Sequence, residues 1–78
     1  MSVVSETVKR IVVDLLGLKE SDYNPKLTFD ELGARTIDFD ELIIFCEYEF
    51  GNWISDEEAK KLTTPAKLIK WLEQKNEQ

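Results

Sequence analysis

Residues 36–50 read Thr36-Ile37-Asp38-Phe39-Asp40-Glu41-Leu42-Ile43-Ile44-Phe45-Cys46-Glu47-Tyr48-Glu49-Phe50. Turned at about 100° per residue, Phe39, Leu42, Ile43, Cys46 and Phe50 gather on one side within about 100° of arc, wide enough to face a core. Thr36 is expected as the N-cap, and Asp38 in the first turn suits the positive end of the helix dipole. Gly51-Asn52 ends the segment. The reading is a helix over Thr36–Phe50, and the remaining chain is punctuated to match it.

Upstream, Val4, Val8, Ile11, Val12 and Leu15 recur at spacings of three and four, predicting a helix over Val3–Leu16 with Gly17 as its left-handed stop. Leu18–Arg35 is a long connection broken by Asn24-Pro25, because a residue before proline is pushed out of the α region. About 18 residues is too long for an idle loop in so small a chain. Leu27, Phe29 and Leu32 are expected to pin it to the core, with Gly33 supplying a tight bend. Downstream, Ser55 and Glu58 form a capping-box pattern for a short helix over Asp56–Leu62. Thr64-Pro65 reads as N-cap and first position of a last helix ending near Gln74. Ala66, Leu68, Ile69 and Leu72 are its expected buried side, and 75–78 are expected to fray. No sheet is predicted. The fold class is all-α, a four-helix bundle with a long first loop and a short third helix, in a single domain over 1–78.

Leu, Ile, Val and Phe make up 24 of the 78 residues, enough for a folded core. The chain has no histidine and one cysteine, Cys46, which excludes an internal disulfide and a Cys/His zinc site. Calcium is disfavoured too, since Asp38, Asp40 and Glu41 do not have EF-hand spacing. No apolar run approaches a membrane span, and the polar, mixed stretch 1–10 gives no expectation of a secretory signal. A cytoplasmic monomer is expected. Catalysis is not, with no histidine base and Cys46 on the inward face. Trp53 and Trp71 are read as packing residues, and Lys60 and Lys61 as part of a solvated face.

The net charge of −6 is unevenly spread. Residues 30–58 hold ten acids and one base, Arg35; this concentration argues against nucleic-acid binding and favours a basic partner. The second helix adds a spare apolar stripe. Ile37, Glu41, Ile44 and Tyr48 fall within about 60° opposite the core side, bordered by Asp38, Asp40, Glu47 and Glu49. An apolar seam with an acidic rim suits a docking ridge, the rim steering and orienting a basic surface. The alternatives are that Ile37 and Tyr48 are ordinary half-exposed residues, or that Ile44 lies under the long loop.

Phe29-Asp30-Glu31-Leu32-Gly33-Ala34-Arg35-Thr36-Ile37-Asp38 resembles the loop-to-helix signature of acyl carrier proteins: an acidic pair, Leu-Gly, a small residue, then Asp-Ser-Leu-Asp. Glu41-Leu42, the acidic run to Phe50, Ile54–Ala59 and Leu62-Thr63-Thr64 extend the resemblance over nearly the whole chain. The resemblance implies a bundle whose serine at the head of the second helix bears phosphopantetheine. The thiol of that arm holds an acyl or polyketide chain as a thioester. Here Thr36 stands at the attachment serine and Arg35 at the aspartate before it. Asp40 occupies a position usually apolar, and Phe39 and Phe45 are bulkier than usual. The expected cofactor is phosphopantetheine at Thr36. Arg35, Ile37, Asp38, Asp40, Glu41, Ile44, Glu47 and Tyr48 are the expected docking residues.

The implied partners are basic-surfaced enzymes of fatty-acid or polyketide-type biosynthesis: ketosynthases, acyltransferases or a phosphopantetheinyl transferase. The alternative is a degenerate, unmodified carrier acting only by docking, as a regulator or scaffold. A serine carrier altered at this one position would also give this pattern. Two adjacent changes, one crowding the hydroxyl with a β-methyl and one reversing a charge, both oppose loading.

Overall fold

A computed structural model describes residues 2–76. Its elements are α1 (Val3–Leu16), a short 3₁₀ turn (Glu20–Asp22), α2 (Thr36–Phe50), α3 (Asp56–Lys61) and α4 (Pro65–Asn76), with no strand among the described residues. α1 packs chiefly on α2 and α4. One continuous core joins Val8 and Val12 of α1, Leu42, Ile43 and Cys46 of α2, and Leu68 and Leu72 of α4. Phe29, Leu32, Ile54 and Leu62 reach the same core from the connections.

The helix ends follow local chemistry. Ser2 caps α1, its hydroxyl accepting the Ser5 N–H at 3.0 Å. Gly17 closes it in the left-handed region at φ 65°. Thr64 caps α4, its hydroxyl accepting the Lys67 N–H at 3.1 Å, with Pro65 buried at the first position. Ala66, expected inside, is exposed; the inward turn is taken by Pro65, Leu68 and Leu72. α4 also continues past Gln74. The Asn76 amide donates to Asn52 Oδ1 at 2.9 Å and to the Leu72 carbonyl at 2.8 Å, which anchors a turn expected to fray. The last two residues of that expectation, 77 and 78, lie outside the described residues.

The capping box expected at α3 is half made. Ser55 Oγ accepts the Glu58 N–H at 3.2 Å, but the Glu58 carboxylate accepts from Trp71 Nε1 at 3.1 Å and so ties α3 to α4. Trp71 packs on the core as expected, whereas Trp53 is 81% exposed and packs on little.

The long connection is ordered by a reciprocal box of its own. The Thr28 N–H donates to Glu31 Oε1 at 2.9 Å, and the Glu31 N–H donates to Thr28 Oγ1 at 3.0 Å. The resulting single turn ends at Gly33, φ 95°, where the Gly33 N–H reaches the Asp30 carbonyl and the Ala34 N–H the Phe29 carbonyl. That pair of bonds is the Schellman arrangement, which requires the left-handed residue glycine supplies. Phe29 and Leu32 are buried and Leu27 is partly buried against them. Phe29 stacks at a tilt on Phe39, ring centroids 5.3 Å apart.

Truncating a fully enclosed core side chain should therefore be costly in so small a fold. Leu68→Ala is expected to lower unfolding stability by about 2–5 kcal/mol, read as a drop in the urea midpoint. Ala66→Ser, on the solvent side of the same helix, should stay within about 0.5 kcal/mol of the parent.

Candidate functional site

The capped turn at 28–33 delivers the chain to α2 with its head facing solvent. Arg35, not Thr36, is the N-cap: its carbonyl accepts the Phe39 N–H at 3.0 Å, and Thr36 is the first helical residue. A guanidinium has no acceptor to offer the first-turn N–H groups. The reverse half of the cap is made instead, the Arg35 N–H donating to Asp38 Oδ2 at 2.9 Å.

Thr36 is exposed and lies on the wall of an open groove of about 480 Å³. Phe29, Ala34, Phe39, Ala59 and Leu62 give that groove an apolar floor; Asp30, Arg35 and Lys60 stand on its rim. The site thus combines an accessible hydroxyl, an apolar slot and unsatisfied helix-head N–H groups, which favour an anion. These features suit a phosphate-linked arm bearing an apolar cargo. The β-methyl of Thr36 crowds that hydroxyl and stiffens its side chain.

The α2 face separates the expected docking residues into two groups. Ile37, Ile44 and Tyr48 are exposed, Ile44 by 61% and Tyr48 by 90%, so the long loop does not cover Ile44. Asp40 and Glu41 are exposed and make no hydrogen bond or ion pair among the described residues. Asp38 and Glu47 are engaged. Arg35 grips Asp38 with Nε at 3.1 Å from Oδ2 and Nη2 at 3.3 Å from Oδ1, and the hydrogen bond from that guanidinium holds the Asp38 carboxyl below the usual carboxylate range. Glu47 Oε2 accepts the Ile54 N–H at 2.8 Å and so fixes the chain after α2.

Phe45, half exposed, joins the ridge as a surface residue beyond those expected. Its wheel position, about 40° from Glu41, was the available signal. Cys46 is fully buried, and burial pushes its thiol up to about 12, which leaves it protonated at neutral pH. No group of His, Cys, Asp and Glu side chains suited to a metal ion occurs among the described residues. No described helix is long and apolar enough to cross a membrane.

A helical bundle with an exposed hydroxyl at the head of an apolar-and-acidic helix has the build of a presenting module. No protein-family model matches the chain. Its sequence is 44% identical over 73 residues to the acyl carrier protein of Solidesulfovibrio magneticus, across 92% of this chain and 94% of that protein. The chain belongs to the acyl carrier protein family. It is a carrier-family protein and not an enzyme.

The Arg35–Asp38 clamp carries a pH signature. A carboxyl held low in the folded state adds stability above the ordinary carboxylate pKa, and loses it as pH falls through the lowered midpoint. Arg35→Gln should raise the Asp38 midpoint toward its ordinary value in an NMR titration of the side-chain carboxyl. The stability difference between parent and variant should be largest near neutrality and vanish in acid. An unchanged Asp38 midpoint would show that the fork does not perturb this carboxyl.

Proposed function

We propose that this chain is a docking carrier of fatty-acid or polyketide-type biosynthesis, with position 36 as the seat of phosphopantetheine. Biosynthetic enzymes with basic surfaces meet the exposed face of α2. The observation that carries this reading is the coincidence at one helix head of an accessible hydroxyl, a groove with an apolar floor and the start of the Ile37–Ile44–Tyr48 ridge. The thiol of the arm holds acyl cargo as a thioester. The residues of this chain position it: the oxygen of residue 36 bears the phosphate, Phe29, Phe39 and Leu62 offer an apolar wall, and Asp40 and Glu41 supply negative charge to the approaching enzyme. Attachment forms a phosphodiester on the residue 36 oxygen, breaks the pyrophosphate bond of coenzyme A, sheds the hydroxyl proton and releases adenosine bisphosphate.

Thr36 beside the Arg35–Asp38 pair favours a second reading, in which the chain is unmodified and works by docking alone. Intact mass after incubation with a broad-specificity phosphopantetheinyl transferase and coenzyme A separates the two. A gain of one arm's mass on the native chain selects the arm-bearing carrier. No gain on the native chain, with loading of Thr36→Ser, which removes the crowding β-methyl, selects the unmodified one.

Docking itself is tested without cargo. Asp40→Lys with Glu41→Lys should weaken binding to a ketosynthase by about tenfold or more at low salt. Glu47 is a poor choice for that reversal, since its carboxylate holds the Ile54 N–H. Equal binding of parent and double variant would remove the acidic face from the docking surface.

A further inference from the structure

Arg35 is the one base among the acids of residues 30–58, and it stands immediately before the exposed hydroxyl. Its side chain is 78% exposed, while that of Asp38, held in its two-point fork, is 14% exposed. The fork changes where the negative face begins. Asp38 is compensated, so the first uncompensated carboxylates of α2 are Asp40 and Glu41. Lys60 puts a second cation on the rim of the same groove. Asp30 shares that rim, so Arg35 and Lys60 are balanced by Asp38 and Asp30, and the helix head is the neutral end of an otherwise acidic face with the guanidinium as its outward group.

Capping is a second, independent observation. Asp, Asn, Ser or Thr at an N-cap accepts an N–H of the first turn, and arginine cannot. The other N-caps that make such a bond here are Ser2, Ser55 and Thr64. At the head of α2 a cation occupies the position where a cap would give more helix stability.

We propose that Arg35 determines partner specificity: it turns away an enzyme that brings a basic group to the head of α2, and admits one that places a carboxylate there with its bases set further along, against Asp40 and Glu41. Opposed like charges across an interface disfavour the wrong partner more than they reward the right one. The cognate partner thus has an acidic spot beside a basic patch rather than a uniformly basic surface. This inference rests on the docking reading given above.

The test uses the full chain with Thr36→Ser, so that hydroxyl crowding is removed, and compares Arg35 with Arg35→Asn and Arg35→Asp. Both replacements are good N-caps, so the fold is retained, and the asparagine isolates capping from charge. The probe is a broad-specificity phosphopantetheinyl transferase with coenzyme A, and the readout is the initial loading rate by intact mass. Arg35→Asp should load about tenfold or more faster than Arg35 at low salt, with Arg35→Asn between them. At about 1 M salt, where the screening length is about 3 Å, the three rates should converge.

Equal rates for all three chains, fast or nil, overturn the inference. A spread that survives high salt also overturns it, because the effect would then belong to capping and not to charge. Adding Asp40→Lys and Glu41→Lys to the Arg35→Asp chain tests the docking reading separately. Unchanged loading would sink that reading and leave the order at position 35 standing.

Discussion

Two backbone hydrogen bonds hold the long connection to the turn between α3 and α4 and to the first turn of α4, and the rest of the structure depends on them. The Phe29 N–H donates to the Thr63 carbonyl at 3.0 Å, and the Ala66 N–H to the Pro25 carbonyl at 2.9 Å. A segment of this length tends to remain mobile, since ordering its backbone costs about 1–2 kcal/mol per residue. The opposing gain is the burial of Phe29 and Leu32, each side chain contributing about 1.5–3 kcal/mol, and the bonds set where those side chains enter. With Phe29 fixed, the Thr28–Glu31 box and Gly33 determine where the turn ends, and the chain arrives at Arg35 with the head of α2 in water. The position of the hydroxyl is thus a consequence of a loop anchored some seven residues earlier.

Helix starts and stops were legible because they are local. Gly17, Gly51, Ser55 and Thr64-Pro65 announce themselves within a few residues, and the buried stripe of α2 was fully given by its period. The head of α2 was misread at one position. Thr36 has the better capping side chain, but the chain leaves Gly33 in a direction that makes Arg35 the last non-helical residue. The Thr28–Glu31 box is written in the sequence as Thr-x-x-Glu, but no apolar run of helical length follows it to mark a helix start. Glu58 and Glu47 were legible as charges and not as acceptors. Their donors, Trp71 Nε1 and the Ile54 N–H, are thirteen and seven residues away, and a backbone N–H has no sequence signature.

That distinction alters the meaning of the acidic stretch. Ten carboxylates against one base suggested one continuous negative surface. Four of the ten have fixed internal duties: Glu31 at the capped turn, Asp38 on Arg35, Glu47 on Ile54 and Glu58 on Trp71. A carboxylate that accepts a backbone or indole N–H keeps its charge but gives up its freedom to reorient toward a partner. Asp40, Glu41 and Glu49 are the carboxylates of α2 left without such a duty, so a steering field from this helix is centred past its first turn.

The geometry of α2 also sets the exposed apolar ridge apart from the hydroxyl at its head. Fifteen residues span about 22 Å at 1.5 Å each, with the residue 36 hydroxyl at one end and Tyr48 near the other. A partner seated on Ile44, Phe45 and Tyr48, with bases against Asp40 and Glu41, leaves the groove beside Thr36 open. A partner that must reach the hydroxyl has to accept the Arg35 guanidinium as well, because the two residues are adjacent and both line the groove. On the docking reading proposed above, binding along the ridge and chemistry at the head would make different electrostatic demands of an enzyme, and a single uniformly basic surface would meet only the first.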